Sequence, residues 1–174
     1  MANSGVCWLI SDTHFGHGNV LTFKREDGSP LRDFKSVEEM DETMVERWNS
    51  VVGKNDRVYH LGDVVINRKY LPIQDRLNGR KVLVKGNHCI FKLSDYAKYF
   101  DDIRAYHKLD NFILSHIPIH PDSLARWCDG NLHGHLHSNR VMLNGEIDKR
   151  YFNVSVEQIN YTPISFEDVK KACL

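Results

Sequence analysis

Eight side chains, Asp12, His14, Asp63, Asn87, His88, His116, His135 and His137, fall in five short polar clusters of the 174-residue chain. The clusters are Ser11-Asp-Thr-His14, Gly62-Asp63, Gly86-Asn-His88, Ser115-His116 and Gly134-His-Leu-His137. Carboxylate, imidazole and amide oxygen together are a metal-ligand inventory. A single tetrahedral zinc takes four ligands. So many donors suit two cations about 3.5–4 Å apart, bridged by one carboxylate, a geometry that clamps both the attacking and leaving oxygens of a phosphoryl displacement. Asp63, central in the order and alone in its cluster, is the natural bridge. With only Asp12 and Asp63 to offset two divalent cations, the site keeps positive charge and attracts anions, and a metal-bound hydroxide serves as nucleophile without serine or cysteine. Imidazole-rich ligation favours Mn, Fe, Ni, Co or Zn over Mg or Ca, and manganese is the leading expectation.

Positioning these groups requires a scaffold that gathers distant segments. Each cluster follows a short apolar run rich in β-branched and aromatic residues: Val6–Ile10, Val58–Leu61, Val82–Val84, Phe112–Leu114 and the residues around Leu132. Such runs read as buried strands. Helices separate them. Ser36-Val-Glu-Glu39 is a capping box, Met40, Met44, Trp48 and Val51 recur on one face as a core stripe, and Gly53 stands just past the end. Shorter helices are expected from about Tyr70 to Asn78, over Ser94–Phe100 and Pro121–Trp127, and after Ser165. Strands alternating with helices define an α/β protein. In an open α/β sheet, residues past the carboxyl ends of strands share one crevice, and the gaps between the clusters, the shortest 19 residues, leave room for crossovers of about a dozen residues. After Ser138 the turn signal Asn144-Gly145 predicts added antiparallel strands.

Taken together, Asp12-x-His14, Gly62-Asp63, Gly86-Asn87-His88, His116 and Gly134-His135-x-His137 resemble, in order and spacing, the motif set of the calcineurin-like metallophosphoesterases. Ser11–His17, Tyr59–Asp63, Asn153-Val and Pro163–Glu167 also resemble a small bacterial and phage branch of that superfamily. The resemblance implies a β-sandwich of two mixed sheets flanked by helices (α/β/β/α). It implies one metal held by Asp12, His14, Asp63 and His137, another by Asp63, Asn87, His116 and His135, and His88 beside the scissile phosphate. The chain departs from the family at Cys89, where an aspartate usually orients that histidine. Without it His88 is expected to be a less basic and less well-aligned general acid. Arg68 lies one residue too far from Gly62 for the family's arginine arrangement.

Other residues admit plainer readings. His17, in a Gly-rich turn after His14, is a candidate substrate contact. Lys24, Arg25 and Arg32, in the long aperiodic stretch Gly16–Lys35, are candidates to hold a phosphate, against the alternative of a solvated charged loop. His60 reads as a hydrogen-bonded core histidine, His120 and His133 as structural, His107 as surface, and Arg80-Lys81 and Lys149-Arg150 as exposed ends of turns.

The length fits one domain, residues 1–174. Hydrophobic residues at 41% and charged residues at 26% exclude disordered and membrane classes. Lys+Arg and Asp+Glu both number 23, so the long-range field of a non-specific nucleic-acid or membrane binder is missing. The run Val6–Ile10 lacks the charged flank and length of a signal peptide, and four scattered cysteines form no C-x-x-C pair. A cytoplasmic chain with reduced thiols is expected. The leading function is hydrolysis of phosphodiesters or phosphomonoesters, on a small phosphoester or nucleotide reached through an open site. A metal-dependent nuclease acting on DNA or RNA ends and a non-catalytic metal-binding scaffold are the alternatives.

Overall fold

The computed structural model describes residues 5–124 and 128–173. In chain order the strands are β1 (Cys7–Ile10), β2 (Arg57–His60), β3 (Arg80–Val84), β4 (Asp102–Arg104), β5 (His107–Leu109), β6 (Phe112–Leu114), β7 (Gly130–His133), β8 (Met142–Leu143), β9 (Glu146–Ile147), β10 (Tyr151–Asn153) and β11 (Ile164–Ser165). The helices are α1 (Val37–Val51), α2 (Leu93–Tyr96) and α3 (Phe166–Cys173), with 3₁₀ turns at Gly18–Thr22, Arg68–Arg76 and Pro121–Leu124.

Two mixed sheets result. The first has the order β11-β1-β2-β3-β4, parallel except for β11; the second has the order β10-β7-β6-β5, parallel except for β5. Register and period-two alternation divide the core. The row Leu9, Tyr59, Val82 joins Phe112, Leu114 and Leu132 in the layer between the sheets. The next row, Ile10, His60, Leu83, points the other way, where Ile10 and Leu83 pack with Met40, Met44 and Trp48 of α1. Thus both faces of the parallel strands are buried, which is why they read as continuous apolar runs. The expected α/β sandwich of two mixed sheets with flanking helices is the observed architecture.

Helix α1 begins at its predicted cap, with Ser36 Oγ accepting from Glu39 N at 3.1 Å. Glu39 returns its carboxylate to Lys35 N rather than to Ser36. The segment from Tyr70 forms a 3₁₀ helix starting at Arg68, with Pro72 inside it. The Ser94–Phe100 helix shrinks to α2, and only Pro121–Leu124 of the Pro121–Trp127 expectation lies among the described residues. The C-terminal strands are partly as expected: β8 and β9 form an antiparallel hairpin through Asn144-Gly145, both at positive φ, but β10 joins β7 in parallel. Lys81, read as an exposed turn end, is buried and donates to Leu77 O at 3.0 Å. Its stem is covered on this interior strand while the ammonium finds a carbonyl. Among the described residues no helix is long and apolar enough to cross a membrane.

Candidate metal centre

Beyond their last residues, β1 and β2 stay paired: Asp12 N donates to Gly62 O and His14 N to Asp63 O, both at 3.0 Å. Ser11 reaches the second sheet's end, donating to Val154 O and accepting from Val156 N. The two sheets are therefore stitched together where the polar clusters emerge. The backbone there is strained: Asp12, His14, Asp63, His135 and His137 all adopt positive φ, between 48° and 68°. Left-handed geometry at a non-glycine residue costs on the order of 1–3 kcal/mol, and it persists only where the surroundings fix it. Glycine is needed beside these residues. A Cβ on Gly134 would collide with Ser11 Oγ and Asp12 Oδ2, and one on Gly86 with the Asp63 carboxylate.

The strand ends bring several of these donors together. Asp12, His14 and His137 present donor atoms within 4.8 Å of one another, and so do Asp12, Asp63 and His116. His14 Nε2 lies 3.8 Å from Asp12 Oδ1 and 4.0 Å from Asp63 Oδ2, and His137 Nε2 lies 4.0 Å from Asp12 Oδ1. On the other side, His116 Nε2 is 3.2 Å from Asp63 Oδ2 and 2.8 Å from Asn87 Oδ1, and His135 Nδ1 is 3.0 Å from the same amide oxygen. Donors each about 2.0–2.2 Å from a shared cation stand roughly 3–4 Å apart, so both groupings have the right scale.

Hydrogen bonds decide which atoms face inward. Asp12 Oδ2 accepts from His135 N at 2.9 Å and Ser155 Oγ at 2.8 Å, leaving Oδ1 buried without a partner among the described residues. Asp63 Oδ1 accepts from His88 N at 2.8 Å, leaving Oδ2 between the two groupings. His116 Nδ1 donates to Leu61 O at 2.7 Å, and His137 Nδ1 to Glu157 Oε1 at 3.1 Å. Each neutral ring then turns its Nε2 lone pair toward oxygens, an arrangement that is repulsive unless a cation or a proton stands between them. The donor set and the orphaned Oδ1 fit a metal.

The electrostatics follow. Complete burial pushes the Asp12 carboxyl up, against the pull of His116 and His137. Burial and the Arg32 charge drive His14 well down. Burial opposes charge on His116 too, yet Asp63 and Asp12 raise it, and Glu157 with Asp12 likewise raise His137. Burial would raise Asp63, but His116 and His14 hold it low.

His88 is exposed, with its ring 5.9 Å from that of His14, and among the described residues nothing hydrogen-bonds its imidazole. The neighbouring Cys89 is buried at 2% exposure in the helix-side core, where burial pushes its thiol up. His17 lies at the same mouth, 5.9 Å from the His14 ring. Arg25 is exposed, its guanidinium donating to the carbonyls of Pro30 and Leu31, each at 3.4 Å. Arg68 pairs with Asp95 at the surface. His60 is a core histidine as expected, at 3.0 Å from Thr13 Oγ1 and with Nδ1 accepting from Gly62 N. His107, read as surface, is half-buried and stacks on Tyr59 at 4.9 Å.

Arg32 corrects the loop reading. At 1% exposure it donates to Glu157 Oε1 at 2.7 Å, Thr13 O at 2.8 Å and Asp12 O at 2.5 Å. Its donors are consumed inside the protein, so it clamps no phosphate. Glu157 itself was not singled out from the sequence, nor was Ser155. The signal was there: after the apolar Tyr151–Phe152, polar residues recur at Asn153, Ser155 and Glu157, the period of a strand facing a polar site. Glu157 fixes the His137 tautomer, and losing such a partner costs about 10–100-fold in metal affinity. Calorimetric titration of Glu157→Gln with Mn²⁺ is expected to show binding weakened by about that factor.

Fold and site together define an α/β sandwich protein with a candidate metal-ligand cluster at the strand ends. No family model matches the chain. It is 34% identical over 177 residues to the uncharacterized protein MJ1445 of Methanocaldococcus jannaschii, covering 94% of this chain and 89% of that one, and it belongs to the same family. The Gene 66 protein of Mycobacterium phage L5 is 30% identical, with 86% of each chain covered. Among solved structures, the protein of unknown function AQ665 from Aquifex aeolicus superposes with a TM-score of 0.73 at 30% identity, over 96% of this chain and 98% of that one.

Proposed function

We propose that the chain is a dinuclear metal-dependent phosphoesterase of the calcineurin-like type, hydrolysing small phosphodiesters or phosphomonoesters. The observation that carries the reading is the position of Asp63: its Oδ2 faces His14 Nε2 on one side and His116 Nε2 on the other. Asp12, His14, Asp63 and His137 would hold one cation, and Asp63, Asn87, His116 and His135 the other. Such a pair of divalent cations, manganese first among them, lowers the pKa of water and neutralises phosphoryl charge. Around it the chain's own residues divide the work. The buried Asp12 and Asp63 keep their inward oxygens free. Asn87 and His17 contact the phosphoester at the mouth. His88, exposed beside the centre, passes a proton to the leaving oxygen.

The neutral overall charge favours a small substrate over a polynucleotide. The test is hydrolysis of bis-p-nitrophenyl phosphate with Mn²⁺. Wild type is expected to turn over, and His88→Ala to slow esters with poor alkyl leaving groups far more than this activated aryl ester, with Mn²⁺ stoichiometry unchanged. Rates near background in wild type would leave the fold as a metal-binding scaffold, and cleavage of single-stranded oligonucleotides in preference to small esters would make it a nuclease.

A further inference from the structure

Next to the second ligand grouping lies a cleft of about 640 Å³, within the 300–1,000 Å³ range of small-molecule sites. Asn87 and His116 are among its lining residues, so a phosphoester placed at the metal centre has this cleft as its neighbour. The rest is largely apolar: Ala105 and Tyr106, which join β4 to β5, and Ile113, Ile117 and Ile119 on and beyond β6. Tyr106 is 65% exposed and Ile117 51%, an aromatic ring and a branched chain left to solvent beside an otherwise polar site. Lys85 supplies a cation, and Ser123 a hydroxyl, to the lining.

We propose that this cleft receives the nucleoside part of a nucleotide substrate, the base lying on Tyr106 against the isoleucines and the phosphoryl group reaching Asn87 and His116. The inference rests on the phosphoesterase reading and narrows its substrate class. Three features select a nucleoside. The volume exceeds what a lone phenyl ring fills. An exposed tyrosine beside aliphatic walls suits a planar heterocycle, since bases stack on aromatic rings with little dependence on sequence. Lys85 and Ser123 can meet ribose hydroxyls or a second negative charge. The Ser115 hydroxyl, in contrast, already donates to Ile117 O and accepts from Asn131, so base-specific hydrogen bonding is scarce and the pocket should tolerate different bases.

The test uses isoleucine methyl NMR of the whole protein. In metal-free protein, adenosine at millimolar concentration is expected to shift the Ile113, Ile117 and Ile119 signals and to leave Ile73 and Ile164 in place, while ribose 5-phosphate does not. In Zn²⁺-loaded protein, AMP is expected to bind at least about tenfold more tightly than ribose 5-phosphate, and Tyr106→Ser to remove most of that advantage while inorganic phosphate binds as before. No shift with adenosine, or an unchanged AMP advantage in Tyr106→Ser, overturns the inference. Equal shifts from p-nitrophenol overturn the nucleoside in favour of a simple aryl group. Adenosine shifts in a protein that binds neither Zn²⁺ nor phosphate would uphold the cleft and sink the phosphoesterase reading instead.

Discussion

Asp63→Asn is expected to lower Mn²⁺-dependent hydrolysis of bis-p-nitrophenyl phosphate by more than a hundredfold and to reduce bound Mn²⁺ from two ions to at most one. Partners that merely orient a ligand cost about 10–100-fold, and Asp63 stands closer to the chemistry than any of those. Its Oδ2 lies between His14 and His116 at 4.0 and 3.2 Å, so an amide there offers a neutral oxygen, or an N–H, to both groupings at once. The substitution keeps the shape, and an asparagine side-chain oxygen can still accept from His88 N, which Asp63 Oδ1 now does at 2.8 Å. Circular dichroism should therefore show an intact fold. Wild-type rates or full stoichiometry in Asp63→Asn would contradict the assignment of this residue as the bridge.

Arg32→Met is expected to destabilise the protein by about 3–5 kcal/mol, the usual consequence of stripping one partner from a buried ion pair, and to lower the melting temperature by roughly 10 °C in a chain of this size. Arg32 and Glu157 are both buried, 2.7 Å apart. Burial alone would raise the Glu157 carboxyl, but the Arg32 charge and the His137 contact hold it down at about 2. A carboxyl depressed in the folded state contributes stability that is present above its unfolded value and lost as the pH falls toward the folded one. The gap between wild type and variant should therefore narrow on acidification from about pH 5 to about pH 2. Replacing both partners, as in Arg32→Met with Glu157→Leu, removes the stranded charge and should recover most of the stability, yet His137 would still lack its anchor and metal affinity would stay weak. Equal melting temperatures for wild type and Arg32→Met would show that the pair carries no such weight.

Much of the centre could be read in the sequence because each ligand stands immediately after a short buried strand, where apolar run and polar cluster are adjacent in the chain. His14 and His137 meet across the whole domain, with rings 5.3 Å apart, because β1 and β7 deliver them to the same end of the two sheets. The long loop was legible only in part. Arg32 looks like any loop cation until the fold shows that its partner lies 125 residues away in Glu157. Local patterns cannot report such a pairing, nor did the apolar periodicity of Tyr70–Asn78 separate a 3₁₀ helix from an α-helix. Lys81 and β10 depart from the sequence expectation for a similar reason: which carbonyl or strand accepts a segment is set by tertiary contact and not by local preference.

The most direct measurement is anomalous diffraction at the manganese edge from crystals soaked in Mn²⁺. Two peaks about 3.5–4 Å apart are expected on either side of the Asp63 carboxylate, one against Asp12, His14 and His137 and the other against Asn87, His116 and His135. A single peak away from Asp63, or none at millimolar Mn²⁺, would contradict a paired metal centre.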